Sequence, residues 1–94
     1  MQIAYLASAK PGLKWFRRYY TRIFPEGEKT AVEQFNRMQR VLASAPMIGK
    51  PFEDSGSREY VIPRIPFTVI YRISGETIEV QLLLDQRAER ADRS

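Results

Sequence analysis

Neither cysteine nor histidine occurs anywhere in the 94 residues. Without a thiol there is no disulfide framework, no thiolate metal site and no cysteine nucleophile. Without an imidazole the usual general base near neutral pH and the commonest zinc ligand are both gone, which excludes most metallohydrolase and serine or cysteine hydrolase designs. Long hydrophobic runs are missing too: unbroken apolar stretches extend only a few residues, far short of the ~20 that span a bilayer. The start carries no signal-peptide pattern. We therefore expect no metal, no small-molecule cofactor, no membrane association and a cytoplasmic location.

What is present is an ordinary globular composition, 44% hydrophobic and 28% charged, far from the signature of disorder. A chain of this length makes one domain, residues 1–94, and buries roughly 65% of the surface its unfolded form exposes. Acidic side chains are absent from residues 1–25, which carry Lys10, Lys14, Arg17, Arg18 and Arg22, whereas residues 26–45 are neutral and residues 46–94 carry one net negative charge. The whole excess of +4 thus sits in the first quarter. Such a patch suits nucleic acid or an acidic protein partner, and it also serves solubility.

The pattern predicts a strand over Gln2 to Leu6, then Ser8 as a helix N-cap with Pro11 in the first turn, where a missing amide costs nothing. A helix follows from Ala9 to Phe24, with Leu13, Phe16, Tyr20, Ile23 and Phe24 on one face. Pro25-Glu26-Gly27 ends it. A second helix runs to about Ser44 with Ala31, Phe35, Met38 and Leu42 as its buried stripe. Met47 to Ser57 reads as a loop. Arg58 to Ile62 and Phe67 to Ile73 read as strands, separated by Pro63 and Pro66 in a bulged or edge connection. Ser74-Gly75-Glu76 turns the chain into a last strand, Thr77 to Leu84. Its alternation puts Ile78, Val80, Leu82 and Leu84 on one face and Glu79, Gln81 and Leu83 on the other. The tail from Gln86 onward is charged and reads as frayed. The expected fold is α+β in the order β-α-α-β-β-β, a helical hairpin covering one face of a largely antiparallel sheet. The open face then receives Thr68, Ile70, Arg72, Glu79, Gln81 and Leu83.

Three segments carry a resemblance: Arg58-Glu59-Tyr60-Val61-Ile62-Pro63, Phe67-Thr68-Val69-Ile70-Tyr71-Arg72 and Leu84-Asp85-Gln86-Arg87. With Leu42 to Pro51 upstream, and in this order and spacing, the chain resembles the RelE/ParE toxins of type II toxin–antitoxin (TA) systems, over nearly its whole length. The resemblance implies the RelE/ParE toxin fold, a bacterial source, a cognate acidic antitoxin, and a target that is either the ribosome with its messenger RNA (RelE-like) or DNA gyrase (ParE-like). RNA-cutting members resemble one another in placing arginines on the sheet, where guanidinium groups stabilise charge on a phosphate under attack.

Aligned with that pattern, the middle-strand arginine position is Thr68, and the histidine that many relatives carry before the post-strand arginine is Asp85. Arg87 matches. Candidates for metal-free ribonuclease chemistry are Arg87, Arg72, Arg58 and Asp85, and the incomplete basic set favours the ParE-like reading over the enzymatic one. A degenerate, non-toxic antitoxin-binding member is a third reading. Candidates for antitoxin or target contact are Ile70, Arg72, Gln81, Leu83 and Arg87. Each arginine also has a plain structural reading: Arg58 and Arg72 can pair with Glu59, Glu79 or other carboxylates across the sheet, and Arg87 with Asp85 can cap the last strand. On the first helix Lys10, Lys14, Arg18 and Arg22 repeat every fourth residue as a basic stripe bordered by Trp15 and Tyr19. A charged outer face is equally what any amphipathic helix presents.

Overall fold

The computed structural model describes residues 1–87. Strand β1 (Gln2–Tyr5) leads through a short 3-10 turn into helix α1 (Lys10–Arg18), which continues as a π-helical turn over Tyr19–Ile23. A second 3-10 turn at Pro25–Gly27 reverses the chain into α2 (Glu28–Ser44), and strands β2 (Lys50–Phe52), β3 (Ser57–Val61), β4 (Phe67–Ser74) and β5 (Thr77–Asp85) follow. The sheet order is β1-β5-β4-β3-β2. Only the β1–β5 pair is parallel; the other three are antiparallel. This is the expected α+β arrangement of a helical hairpin on one face of a largely antiparallel sheet.

The core lies between hairpin and sheet. Ala31, Met38 and Leu42 of α2 are buried, as their spacing predicts, and pack with Phe67, Val69, Tyr71, Ile78 and Val80. Phe16 stands at the centre of an aromatic cluster, with ring centroids 5.0 Å from Phe67, 5.1 Å from Tyr20 and 5.3 Å from Phe35, separations at which edge-to-face packing is favourable. Tyr5 donates a 2.8 Å hydrogen bond to Gln39 Oε1 and so ties β1 to α2; burial pushes its phenol up to about 12. Gly12 permits the close seating of α1, because a Cβ there would stand 2.1 Å from the Leu83 carbonyl oxygen. Gly75 opens the two-residue β4–β5 loop at φ 61° while Glu76 does not share a positive φ, as a type II′ turn requires.

Several sequence expectations need correction. The segment Met47 to Ser57 is not all loop, since Lys50–Phe52 pairs antiparallel with β3 as an edge strand. Ser8 makes no cap; its hydroxyl donates to the Gln81 carbonyl at 2.7 Å, and Ala9 occupies the cap position. The first helix does not continue regularly to Phe24: the π turn shifts the face, leaving Ile23 55% and Phe24 44% exposed.

The largest correction concerns β5. Ile70 pairs with Leu82 but Tyr71 pairs with Val80, so Gln81 is an extra residue in a bulge. One extra residue inverts the alternation beyond it. Ile78 and Val80 face the helices as expected, but Leu83 joins them at 5% exposure, and Leu82 takes the open face at 36%. Leu83 is therefore a core residue and not a contact surface. Nor does the chain fray at Gln86, whose amide donates to the Pro66 carbonyl at 2.9 Å and whose side chain donates to Thr68 Oγ1 at 2.8 Å. The remainder of the tail lies outside the described residues.

Candidate functional site

Where β5 ends, four side chains from α1 and the strand terminus come together. Asp85 Oδ2 accepts from Trp15 Nε1 at 2.8 Å, and Arg87 grips the same carboxylate through its Nη2 at 3.0 Å and its Nε at 3.1 Å. The Arg87 backbone amide also donates to Asp85 at 2.9 Å, closing a local turn. The Arg87 guanidinium lies 4.1 Å from the centroid of the Tyr19 ring and donates to the Tyr19 hydroxyl. Burial by itself would raise the Asp85 carboxyl, but the hydrogen bonds from Arg87 and Trp15 hold it below the ordinary carboxylate range. The same carboxylate pushes the Arg87 guanidinium up. Asp85 thus stays ionised, and Arg87 is fully charged yet already engaged.

The other candidate arginines lie elsewhere. Arg72 is on the open face, in a 2.7 Å ion pair with Glu79 of the neighbouring strand, its side chain 51% exposed. Arg58 pairs with Tyr71 in the β3–β4 ladder and so points toward the helical face; its Nη1 donates to the Gly49 carbonyl at 2.7 Å and, more weakly, to that of Met47 at 3.4 Å. It pairs with no carboxylate among the described residues, and with Tyr71 it fastens the loop after α2. The Tyr71 hydroxyl donates to the Pro46 carbonyl at 2.7 Å and accepts from the Gly49 amide at 3.0 Å. Arg87 stands beyond the β5 end that faces Phe67, roughly 13 Å along β4 from the Tyr71 level of Arg58. Arg58, Arg72 and Arg87 therefore do not converge on one phosphate. Thr68, at the position where RNA-cutting relatives carry arginine, is 6% exposed under the Gln86 side chain.

On the open face Ser57 donates to Gln81 Oε1 at 2.6 Å across the middle of the sheet. A shallow groove of about 360 Å³ runs beside them, walled by Leu6, Phe52, Ile70 and Leu82. Ile70 faces this groove but is only 2% exposed, covered by its neighbours, so it forms floor and not free surface. The exposed apolar groups of this face are Leu82 at 36% and Val61 at 50%. Lys10, Lys14, Arg18 and Arg22 are all exposed, on the far side of the hairpin from the core. Bulge, Trp15–Asp85 bond and Tyr71–loop network involve partners 22 to 70 residues apart or a single inserted residue, for which local spacing holds no signal.

Among the described residues no three Asp or Glu side chains gather as metal ligands, and no helix is long and apolar enough to cross a membrane. No family model and no curated protein matches the chain. Among solved structures, a chain of the chromosomal ParDE TA system from P. aeruginosa superposes with a TM-score of 0.68 at 24% sequence identity, covering 88% of this chain and 92% of that one. The likeness is one of fold, and it extends over both the hairpin and the sheet.

Proposed function

We propose that the chain is the toxin of a type II TA pair, held inactive by an acidic antitoxin, and that it acts on a protein target such as DNA gyrase and not by cutting messenger RNA. The observation that carries this reading is the fold shared with a ParDE component across 88% of the chain. The choice of target class draws on the arginines: Arg72 and Arg87 are each committed to a carboxylate, Arg58 to backbone carbonyls, and Thr68 is buried. Losing one preorganised donor costs roughly a hundredfold to a thousandfold in rate, and here the charged donors are dispersed. The antitoxin would lie on the open sheet face, with apolar groups on Leu82 and in the groove and an acidic segment toward Arg72.

Expression with and without an acidic partner frame, scored by growth, tests toxicity and neutralisation. Purified protein then goes into a gyrase supercoiling and cleavage-complex assay in parallel with mapping of messenger RNA ends after a short induction. Inhibited gyrase with intact transcripts is the expected result. Ribosome-dependent cuts that vanish in Arg87→Ala would replace this reading with the ribonuclease one, and no effect in either assay would leave a non-toxic antitoxin-binding domain. Leu82→Glu is expected to weaken antitoxin binding by tenfold or more, on the order of 1.4 kcal/mol, with an unchanged circular dichroism spectrum. Leu83→Glu buries a carboxylate without a partner and is expected to unfold the domain.

A further inference from the structure

The antitoxin reading leaves the most strongly charged surface of the molecule unused. Lys10, Lys14, Arg17, Arg18 and Arg22 are all exposed along α1 and its π turn. No acidic residue occurs in residues 1–25, and the ion pairs among the described residues are Arg72–Glu79 and Arg87–Asp85. Four of them, Lys10, Lys14, Arg18 and Arg22, therefore stand in a row with no described carboxylate against them, while Arg17 lies to one side in a cleft it shares with Glu28.

Their geometry is that of a track. At 1.5 Å per residue, Lys10 to Arg22 spans roughly 18 Å, and in a regular α-helix every fourth residue drifts about 40° around the axis. The π turn is underwound, with i→i+5 bonding, so over Tyr19–Ile23 it turns the backbone against that drift and returns Arg22 toward the line of Lys14 and Arg18. Duplex DNA carries a phosphate charge every ~1.7 Å of axis over its two strands, but each strand winds away around the axis, so a straight track of this length with four cations meets at most about four phosphates.

We propose that this outer face of α1 docks on the sugar–phosphate backbone of duplex DNA. A protein partner is disfavoured by composition, because protein interfaces centre on desolvated apolar anchors and are depleted in lysine, whereas the row holds Lys10 and Lys14 and no apolar side chain. A single strand is disfavoured by the neighbouring aromatics. Such strands bind by stacking bases on free rings, but the Trp15 indole is held by Asp85, and Tyr19 has Arg87 over its ring and at its hydroxyl. What remains is contact by charge alone, which the duplex rewards most. The face is opposite the open side of the sheet, so it stands or falls independently of antitoxin binding.

The test is anisotropy of a labelled duplex titrated with the full chain between about 50 and 200 mM salt. With about four phosphates neutralised, log K against log salt should have a slope of roughly −4, a loss of at least a hundredfold over that range. Lys14→Ala with Arg18→Ala should make the slope shallower by about 2, while Arg37→Ala with Lys50→Ala, on α2 and β2, should leave it unchanged. Circular dichroism checks that each variant is folded. Absence of binding at the lowest salt, a slope indifferent to Lys14 and Arg18, or equal or tighter binding of a single strand or a polyglutamate peptide would each overturn the proposal.

Discussion

Tyr71 is fully buried, yet its hydroxyl is saturated, with the Pro46 carbonyl on one side and the Gly49 amide on the other. Tyr71→Phe keeps the ring and strands both backbone groups. A buried polar group without its partner costs about 1 to 3 kcal/mol, so urea denaturation should show a loss in that range with an unchanged m-value. Asp85 gives a test through pH. Its folded carboxyl lies below the ordinary range because of Arg87 and Trp15, so it binds a proton less readily folded than unfolded. Its contribution is complete above the unfolded value, about 3.9, and is lost as pH falls through the lower folded value. Asp85→Asn should cost on the order of 1 kcal/mol near neutral pH, since Arg87 is 42% exposed and solvent screens part of the pair. The gap between variant and wild type should close on acidification below about pH 4. At this scale the sequence was partly legible. Glu79 as the partner of Arg72, and Asp85 as that of Arg87, are near neighbours in a hairpin or along the chain. Trp15 as a third member was not, because 70 residues separate it from Asp85.

At the scale of elements, α1 rests on β5 through Gly12. Alanine there would gain up to ~1 kcal/mol of helix propensity. Its Cβ would meet the Leu83 carbonyl at 2.1 Å, and forcing backbone apart in a packed core costs about 1 to 3 kcal/mol. The clash wins, so Gly12→Ala is expected to lower the melting temperature by about 5 to 10 °C, at roughly 4 to 8 °C per kcal/mol for a domain of this size. A calorimetric scan decides it, and a raised midpoint would show that α1 can lift off at little cost. Helices and long strands were readable because their apolar residues repeat with the period of the element. β2 was not: three residues, one of them Pro51, carry no alternation. The π turn and the Gln81 bulge escaped for one shared reason. Each inserts a single residue into a pattern that still looks regular, and only the partner element reveals the shift. That is why Leu83 exchanged faces with Leu82.

For the whole molecule, the parallel pairing of β1 with β5 joins residues Gln2–Tyr5 to Thr77–Val80, and β5 also supplies Ile78, Val80 and Leu83 to the core. A chain cut after Ser74 loses the strand that lies between β1 and β4, leaving both edges open and stripping Ile78, Val80 and Leu83 from the floor beneath the hairpin. It should show no cooperative melting transition by circular dichroism, whereas a folded fragment would mean that the helices and β2–β4 suffice. The same pairing has a consequence in time. Contacts so distant in sequence raise contact order, and non-local closure must be completed before it is rewarded, which slows folding. During synthesis, at about 5 to 20 residues per second, β2, β3 and β4 can pair as they emerge, but β1 has no partner strand until β5 follows. Seconds separate the first strand from the partner it needs, so the complete sheet forms late, and on the proposed reading that delay gives a partner already present in the cell the first opportunity to meet the chain.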